Sequence, residues 1–128
     1  MTGKHKAFGI YVHITWHTWR RQRLIDRMGV PEILKCLAEA AQRHGVHIRE
    51  QAVLTEHVHI IASLRPDRVL SDFIRHAKSE SARRPNSPRR PFRWARGYFV
   101  ETLSRTHVRR ACAYVAGQYR KHPDRILA

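Results

Sequence analysis

The sequence of 128 residues is long enough for one domain with a hydrophobic core, and we interpret residues 1–128 as a single domain. Lysines and arginines number 25 against 10 aspartates and glutamates, and the resulting formal charge of +15 favours a polyanionic partner. No apolar run approaches the roughly 20 residues that span a bilayer, no signal-peptide pattern opens the sequence, and the two cysteines form neither a disulfide framework nor a zinc motif. We therefore expect a reduced, cytoplasmic protein without a membrane partner.

The first predicted element is a strand from Phe8 to Trp16, in which apolar and polar residues alternate. A basic loop over residues 17–26 follows, where Trp19 stands among arginines in a composition suited to phosphate contact and base stacking. A solvated charged loop is the alternative interpretation. The predicted DNA contacts in this loop are Arg20, Arg21 and Arg23.

A helix is predicted to begin near Pro31, and Gly45 is placed to end it. The next strand is expected over residues 46–55 and should form a hairpin with the strand that follows. Glu50 interrupts its apolar row, which consists of Val46, Ile48, Ala52 and Leu54.

The strand from His57 to Leu64 has the most informative pattern of the chain. Its apolar row is formed by Val58, Ile60, Ala62 and Leu64. His57 and His59 face the other way, about 7 Å apart at Cβ, and two imidazoles at that spacing can chelate one divalent ion. A pair of exposed histidines without a metal is the alternative interpretation.

A second helix is expected to open at Pro66-Asp67. It gives way to residues 83–91, where three prolines and four arginines exclude a helix or an inner strand. The predicted DNA contacts in and beside this basic loop are Arg83, Arg84, Arg89, Arg90 and Arg93.

The last strand is predicted from Arg96 to Leu103, and Ser104 or Thr106 is predicted to cap a helix that runs to about Lys121. The order β-α-β-β-α-β plus a terminal helix predicts an α+β fold, ferredoxin-like or RRM-like, with an antiparallel sheet and both helices on one face. The opposite face is expected to be open and to display His13, His57 and His59.

The terminal helix has an apolar stripe at helical spacing, formed by Val108, Ala111, Cys112, Val115 and Tyr119. Tyr114 and Gln118 lie beside that stripe, one turn apart, so a potential nucleophile is stacked with an amide that can ligate a cation. An ordinary surface tyrosine is the alternative when this helix is considered by itself.

Several segments of the sequence resemble the IS200/IS605-type single-tyrosine (Y1) transposases, a family that includes relatives associated with repetitive extragenic palindromes (REP). Residues 56–61, Glu-His-Val-His-Ile-Ile, resemble the family's HUH motif, two histidines around a hydrophobic residue. Residues 11–16 are similar to its first strand, residues 71–81 to its second helix, and residues 92–100 to the lead into its last strand. The catalytic helix is resembled by Tyr114-Val115-Ala116-Gly117-Gln118.

The resemblance implies a transposase that cleaves and rejoins single-stranded DNA, with Tyr114 as the nucleophile of a 5′-phosphotyrosine intermediate. It implies a divalent ion, Mg²⁺ or Mn²⁺, that is held by His57, His59 and Gln118 and acts as a Lewis acid on the scissile phosphate. The implied partners are single-stranded DNA with a hairpin and a second copy of the chain in a homodimer. Gly117 departs from the family, which commonly has asparagine at this position.

Other functions fit parts of the pattern. A domesticated REP-associated nuclease would share the chemistry, and a non-catalytic RRM-like module would share the fold and the charge. A two-histidine phosphoesterase needs a second His-x-Thr/Ser motif besides His13-Ile14-Thr15, and the residues after His59 do not supply one. A histidine-triad hydrolase needs a third alternating histidine, but Thr55 and Ile61 occupy those places.

Overall fold

The computed structural model describes residues 9–83 and 92–118. Its four antiparallel strands form one sheet in the order β2-β3-β1-β4. This α+β arrangement, including the helix after the last strand, confirms the predicted fold. The elements in chain order are β1 (Ile10–His17), a 3₁₀ turn (Trp19–Arg21), α1 (Gly29–His44), β2 (Val46–Val53), β3 (His57–Leu64), α2 (Leu70–Arg83), β4 (Phe99–Leu103), a second 3₁₀ turn (Arg105–His107) and α3 (Val108–Ala116).

One face of the sheet packs against α1 and α2, as predicted. The alternating apolar rows of β1 and β3 point into this layer because successive side chains of a strand face opposite sides. Aromatic residues close the layer at one end, where the rings of Trp16 and Trp94 meet edge to face. The residues that β3 contributes to this core are Val58, Ile60, Ala62 and Leu64.

The opposite face of the sheet, predicted to be open, is partly covered by α3. The stripe of α3 packs on this face through Val108 and Val115, against Ile61 of β3 and Ala52 of β2. An apolar helical stripe needs an apolar partner, and this face offers one beside the histidines. All eight residues of β3 are consequently buried.

A β-bulge in β2 corrects the prediction for that strand. The pairing with β3 passes from Ile48 opposite Ala62 to Glu50 opposite Ile61, so one additional residue, Arg49, is accommodated. The side chains after the bulge change faces relative to a regular strand. Ala52 therefore lies under α3 instead of continuing the row that faces α1 and α2.

The predicted end of α1 is confirmed, whereas β4 and α2 begin later than predicted. Gly45 ends α1 in the left-handed conformation, with φ +67°, as predicted. β4 begins at Phe99 instead of Arg96 because Gly97, at φ +79°, interrupts the extended backbone. α2 begins at Leu70, after the exposed turn that starts with Pro66.

At the C-terminus, α3 ends at Ala116, and Gly117 follows as a turn whose N–H donates to the carbonyl of Ala113. The predicted continuation to Lys121, with Tyr119 on the stripe, lies outside the described residues. Within residues 9–83 and 92–118, no helix is long and apolar enough to cross a membrane. Cys36 and Cys112 do not form a disulfide bond, as the sequence predicted.

The cover that α3 provides can be tested on neighbouring residues of β3. Ile60 and Ile61 are both fully buried but on opposite faces. We expect Ile61→Ala and Ile60→Ala each to lower the free energy of unfolding by about 2–5 kcal/mol, the usual cost of truncating a buried isoleucine. Urea unfolding measures both. A loss below about 0.5 kcal/mol for Ile61→Ala, typical of a surface position, would contradict the packing of α3.

Candidate active site

The two histidines of β3 meet at the face covered by α3. The Nε2 atoms of His57 and His59 are 3.1 Å apart, and the ring centroids are 4.8 Å apart. Both side chains are buried, with 7% and 8% of their surface exposed. The pair predicted from the alternation of β3 is therefore present, and it is withdrawn from solvent instead of lying on an open face.

Each imidazole is oriented through its other nitrogen. Nδ1 of His57 lies 3.0 Å from a carboxylate oxygen of Glu56. Nδ1 of His59 lies 2.9 Å from Nε2 of His13 and 3.4 Å from the hydroxyl of Thr15. The partners of His59 stand on β1, where Thr15 is directly opposite His59 in the sheet register. Such contacts at Nδ1 fix the ring plane and the tautomer of a histidine ligand.

The spacing of the two Nε2 atoms fits a shared cation. Two nitrogen ligands about 2.1 Å from one ion, at a right angle, stand about 3.0 Å apart. With Nδ1–H on both rings, both Nε2 lone pairs are available, and His59 donates to His13. Without a cation, one Nε2 carries a proton, and the 3.1 Å contact is a hydrogen bond between the rings.

Gln118, the third predicted ligand, lies two residues beyond the end of α3. Its side chain is 1% exposed, and its Nε2 donates to the carbonyl of Tyr114 at 3.4 Å. The amide oxygen of a glutamine is the atom that can ligate a cation. Among residues 9–83 and 92–118, no three His, Cys, Asp or Glu side chains form a group that could hold a metal ion.

Tyr114 faces the histidines from α3. Its ring centroid is 6.1 Å from those of both His59 and His13, and the side chain is 46% exposed. A hollow of about 590 Å³ opens beside it, between α3 and β4, with Glu101 and Arg110 in its wall. The tyrosine is thus accessible to a large substrate while it remains next to the buried histidine pair.

The electrostatics at His13 favour the neutral imidazole. Burial lowers the pKa of His13, and the negative charge of Glu101, directly opposite on β4, opposes that shift without cancelling it. A neutral His13 can accept the hydrogen bond from His59. His107 is exposed and pairs locally with Ser104, so it takes no part in the histidine cluster.

The two basic segments predicted to contact DNA meet at Trp19. The guanidinium of Arg93 lies 4.0 Å from the centre of the Trp19 ring, and that of Arg20 lies 5.3 Å from it. Arg20 and Arg21 both have positive φ in this tight turn. Arg23 is exposed nearby, whereas Arg83 pairs with Glu80 at 2.6 Å. The other predicted contacts, Arg84, Arg89 and Arg90, lie outside the described residues.

Sequence reasoning missed Glu56 and Thr15 as partners of the histidines. Consecutive residues of a strand point to opposite faces, so alternation does not predict a contact between Glu56 and His57. β3 begins at His57, and Glu56 precedes the regular strand, which lets its carboxylate turn toward the neighbouring ring. The available signal for Thr15 was its place in the polar row of β1.

Comparisons with known proteins identify the family of this chain. The sequence matches the family model described as "Transposase IS200 like" over residues 6–118. It is 28% identical over 85 residues to the ISDra2 transposase TnpA of Deinococcus radiodurans, an alignment that covers 64% of this chain and 59% of that protein. The chain thus spans about three fifths of the length of this curated relative.

Two solved structures share the fold. One is a REP-associated tyrosine transposase bound to a REP hairpin, with a TM-score of 0.73 and 18% identity, covering 89% of this chain and 68% of that one. The other is a candidate transposase from Deinococcus radiodurans, with a TM-score of 0.63 and 23% identity, covering 92% of this chain and 97% of that one. Because the family model matches most of the chain, the chain belongs to the IS200-like transposase family.

Proposed function

We propose that this chain is a metal-dependent DNA strand transferase that cleaves and rejoins single-stranded DNA through Tyr114. The observation that carries the proposal is the convergence of three side chains. The Nε2 atoms of His57 and His59 are 3.1 Å apart, and the accessible ring of Tyr114 is 6.1 Å from His59. His57, His59 and the amide oxygen of Gln118 would hold a divalent ion, Mg²⁺ or Mn²⁺, which supplies Lewis-acid activation of the scissile phosphate when bound.

The proposed reaction conserves the bond energy of the DNA backbone. The Tyr114 oxygen attacks the phosphorus, a bond from Oη to phosphorus forms, and the bond from phosphorus to the 3′ oxygen breaks. The products are a 5′-phosphotyrosine and a free 3′-OH. A 3′-OH can then attack the phosphorus of the phosphotyrosine. The bond from phosphorus to Tyr114 Oη breaks, and a DNA strand is rejoined without ATP.

Protons are exchanged with solvent at two atoms in this scheme, because the phenol of Tyr114 loses one and the leaving 3′ oxygen gains one. A tyrosine has an ordinary pKa of ~10, so the phenol must lose its proton as it attacks. Tyr114 is 46% exposed, and solvent can take that proton. His13 is a positioning residue here, because its Nε2 accepts the hydrogen bond from Nδ1–H of His59 in the ion-binding tautomer.

The proposed partner is single-stranded DNA that carries a hairpin. The charge of +15 and the stack of Arg20, Trp19 and Arg93 suit phosphates and unpaired bases. The structural relative with the TM-score of 0.73 was solved on a REP hairpin, and this likeness favours a domesticated REP-associated nuclease as the second candidate function. A non-catalytic RRM-like module fits less well, because α3 covers part of the sheet face on which such modules stack bases.

We further propose that each catalytic site is assembled within one chain. The ring of Tyr114 lies 6.1 Å from that of His59 in the same chain, and α3 packs on its own β2 and β3. The homodimer implied by the family resemblance is then not needed to complete a site, and its role would lie in holding two DNA ends.

The first experiment tests the nucleophile. The substrate is 3′-labelled single-stranded DNA that includes a hairpin from the sequence flanking the gene for this protein. With Mn²⁺, we expect a covalent adduct on a denaturing gel. Tyr114→Phe removes only the nucleophilic oxygen, so adduct formation should be lost while DNA affinity stays close to that of wild type. An undiminished adduct in this variant would place the nucleophile elsewhere, and wild-type binding without an adduct would favour a non-catalytic module.

The second experiment tests the carboxylate beside His57. Glu56→Gln removes the negative charge that orients the ring, and such partners of metal ligands typically contribute 10–100-fold to metal affinity. We expect the Mn²⁺ concentration for half-maximal adduct formation to rise by that factor. Glu80→Gln, which alters a carboxylate paired with Arg83 on the surface of α2, is the matched control. An equal Mn²⁺ requirement in Glu56→Gln and wild type would refute the assignment.

The third experiment tests assembly within one chain. His57→Ala and Tyr114→Phe are each inactive if both residues are catalytic, and a mixture of the two remains inactive when every site is built from a single chain. A site shared between subunits would recover activity, because a mixed dimer would contain one intact set of residues. Recovery of adduct in the mixture, scored against wild type mixed with Tyr114→Phe, would overturn this proposal.

A further inference from the structure

A second groove lies away from Tyr114, between α2 and the segment of residues 92–98 that leads into β4. Its volume is about 630 Å³. From α2 come Arg75 and Lys78, and the facing segment contributes Phe92, Trp94 and Tyr98. None of the residues assigned above to the metal or to nucleophilic attack lines it.

The segment that forms one wall is anchored to the helix that forms the other. The ammonium of Lys78 donates to the carbonyls of Ala95 at 2.9 Å and Gly97 at 2.7 Å. The indole N–H of Trp94 donates to the hydroxyl of Ser81 at 2.9 Å. Burial lowers the pKa of Lys78, in keeping with its position under this segment. The groove is therefore formed before any ligand arrives, which limits the ordering cost of binding.

The chemistry of the lining suits a nucleotide. Four cations and three aromatic rings line the groove, and no aspartate or glutamate is among its lining residues. Tyr98 is 48% exposed there, which leaves its ring available for stacking. Arg75 has a neighbouring carboxylate, that of Asp72 at 2.8 Å, and Arg93 and Arg96 line the opposite wall. Aromatic rings among arginines bind unpaired bases and their phosphates together.

The groove is also connected with the segment that precedes β3. Arg93 lines it and at the same time stacks on Trp19 at 4.0 Å. The backbone N–H of Trp19 donates to the carbonyl of Arg93, and that of Thr18 donates to the carbonyl of Glu56, the residue that orients His57. Backbone hydrogen bonds thus join the wall of the groove, through residues 18 and 19, to the residue that precedes β3.

We propose that this groove binds an unpaired nucleotide of the DNA substrate, with the base against Tyr98 and Phe92 and the phosphates against Arg93 and Arg96. The inference rests on the proposed function, because it assumes that the substrate is single-stranded DNA. It adds a binding site for a nucleotide remote from the one that is cleaved.

The test combines binding and photocrosslinking. Stacking of one base on an aromatic side chain is worth about 1–3 kcal/mol, so Tyr98→Ala should weaken binding of fluorescent single-stranded DNA by about 5–150-fold. Tyr98→Phe keeps the ring and should bind within about twofold of wild type. Met28→Ala, at an apolar side chain that is 63% exposed and outside the groove, is the control for surface truncation. Equal affinities for Tyr98→Ala and wild type would overturn the proposal.

Crosslinking of the unmodified protein keeps the proposal testable even if Tyr98→Ala fails to fold. Oligonucleotides with 5-iododeoxyuridine at successive positions are irradiated on wild-type protein, and the adducts are mapped by mass spectrometry. We expect one position to crosslink to Tyr98 or Phe92. A Tyr114 adduct without any crosslink to residues 92–98 would overturn the groove assignment and leave the proposed function standing. A crosslink to the groove without a Tyr114 adduct would overturn the proposed function and leave the groove assignment standing.

Discussion

The burial of β3 on both faces is the constraint on which the rest of the structure depends. All eight residues from His57 to Leu64 are buried, and the strand lies between β2 and β1 in the sheet. One row of its side chains supports the core with α1 and α2, and the other row holds two histidines followed by Ile61. The imidazoles are therefore held by the same backbone that anchors the core, and α3 is held beside them by the next residue of the same row. A precise arrangement of ligands needs this kind of rigid support.

Much of this arrangement follows from periodicity. The two-residue repeat of β3 placed His57 and His59 on one face, and the helical spacing of α3 separated Tyr114 from its apolar stripe. The interpretation failed where residues distant in sequence decide the outcome. The stripe of α3 was visible, but its docking on Ile61 was not, so the sheet face was expected to be open. The contact of Trp19 with Arg93 likewise joins segments more than 70 residues apart. The residue pattern within either segment does not predict this contact.

The polar contacts of the histidines show a second limit of sequence reasoning. Nδ1 of His59 faces His13 and Thr15 across a strand pair, which the register of β1 and β3 determines. The contact of Glu56 with His57 depends on where the regular strand begins. Both arrangements depend on strand geometry at the level of single residues. Residue types and alternation were enough to nominate the ligands, but not the groups that orient them.

The bulge in β2 has a consequence for changes of chain length. Arg49 is the residue without a place in the regular ladder, since Ile48 stands opposite Ala62 and Glu50 opposite Ile61. Loss of Arg49 would leave those pairs, and Ala52 beneath α3, where they are. Loss of a residue between Glu50 and Val53 would instead exchange the two faces of the strand's end, because side chains alternate with each residue. β2 can therefore absorb a single-residue insertion or deletion at position 49. After that position the number of residues is fixed, because Ala52 must face α3.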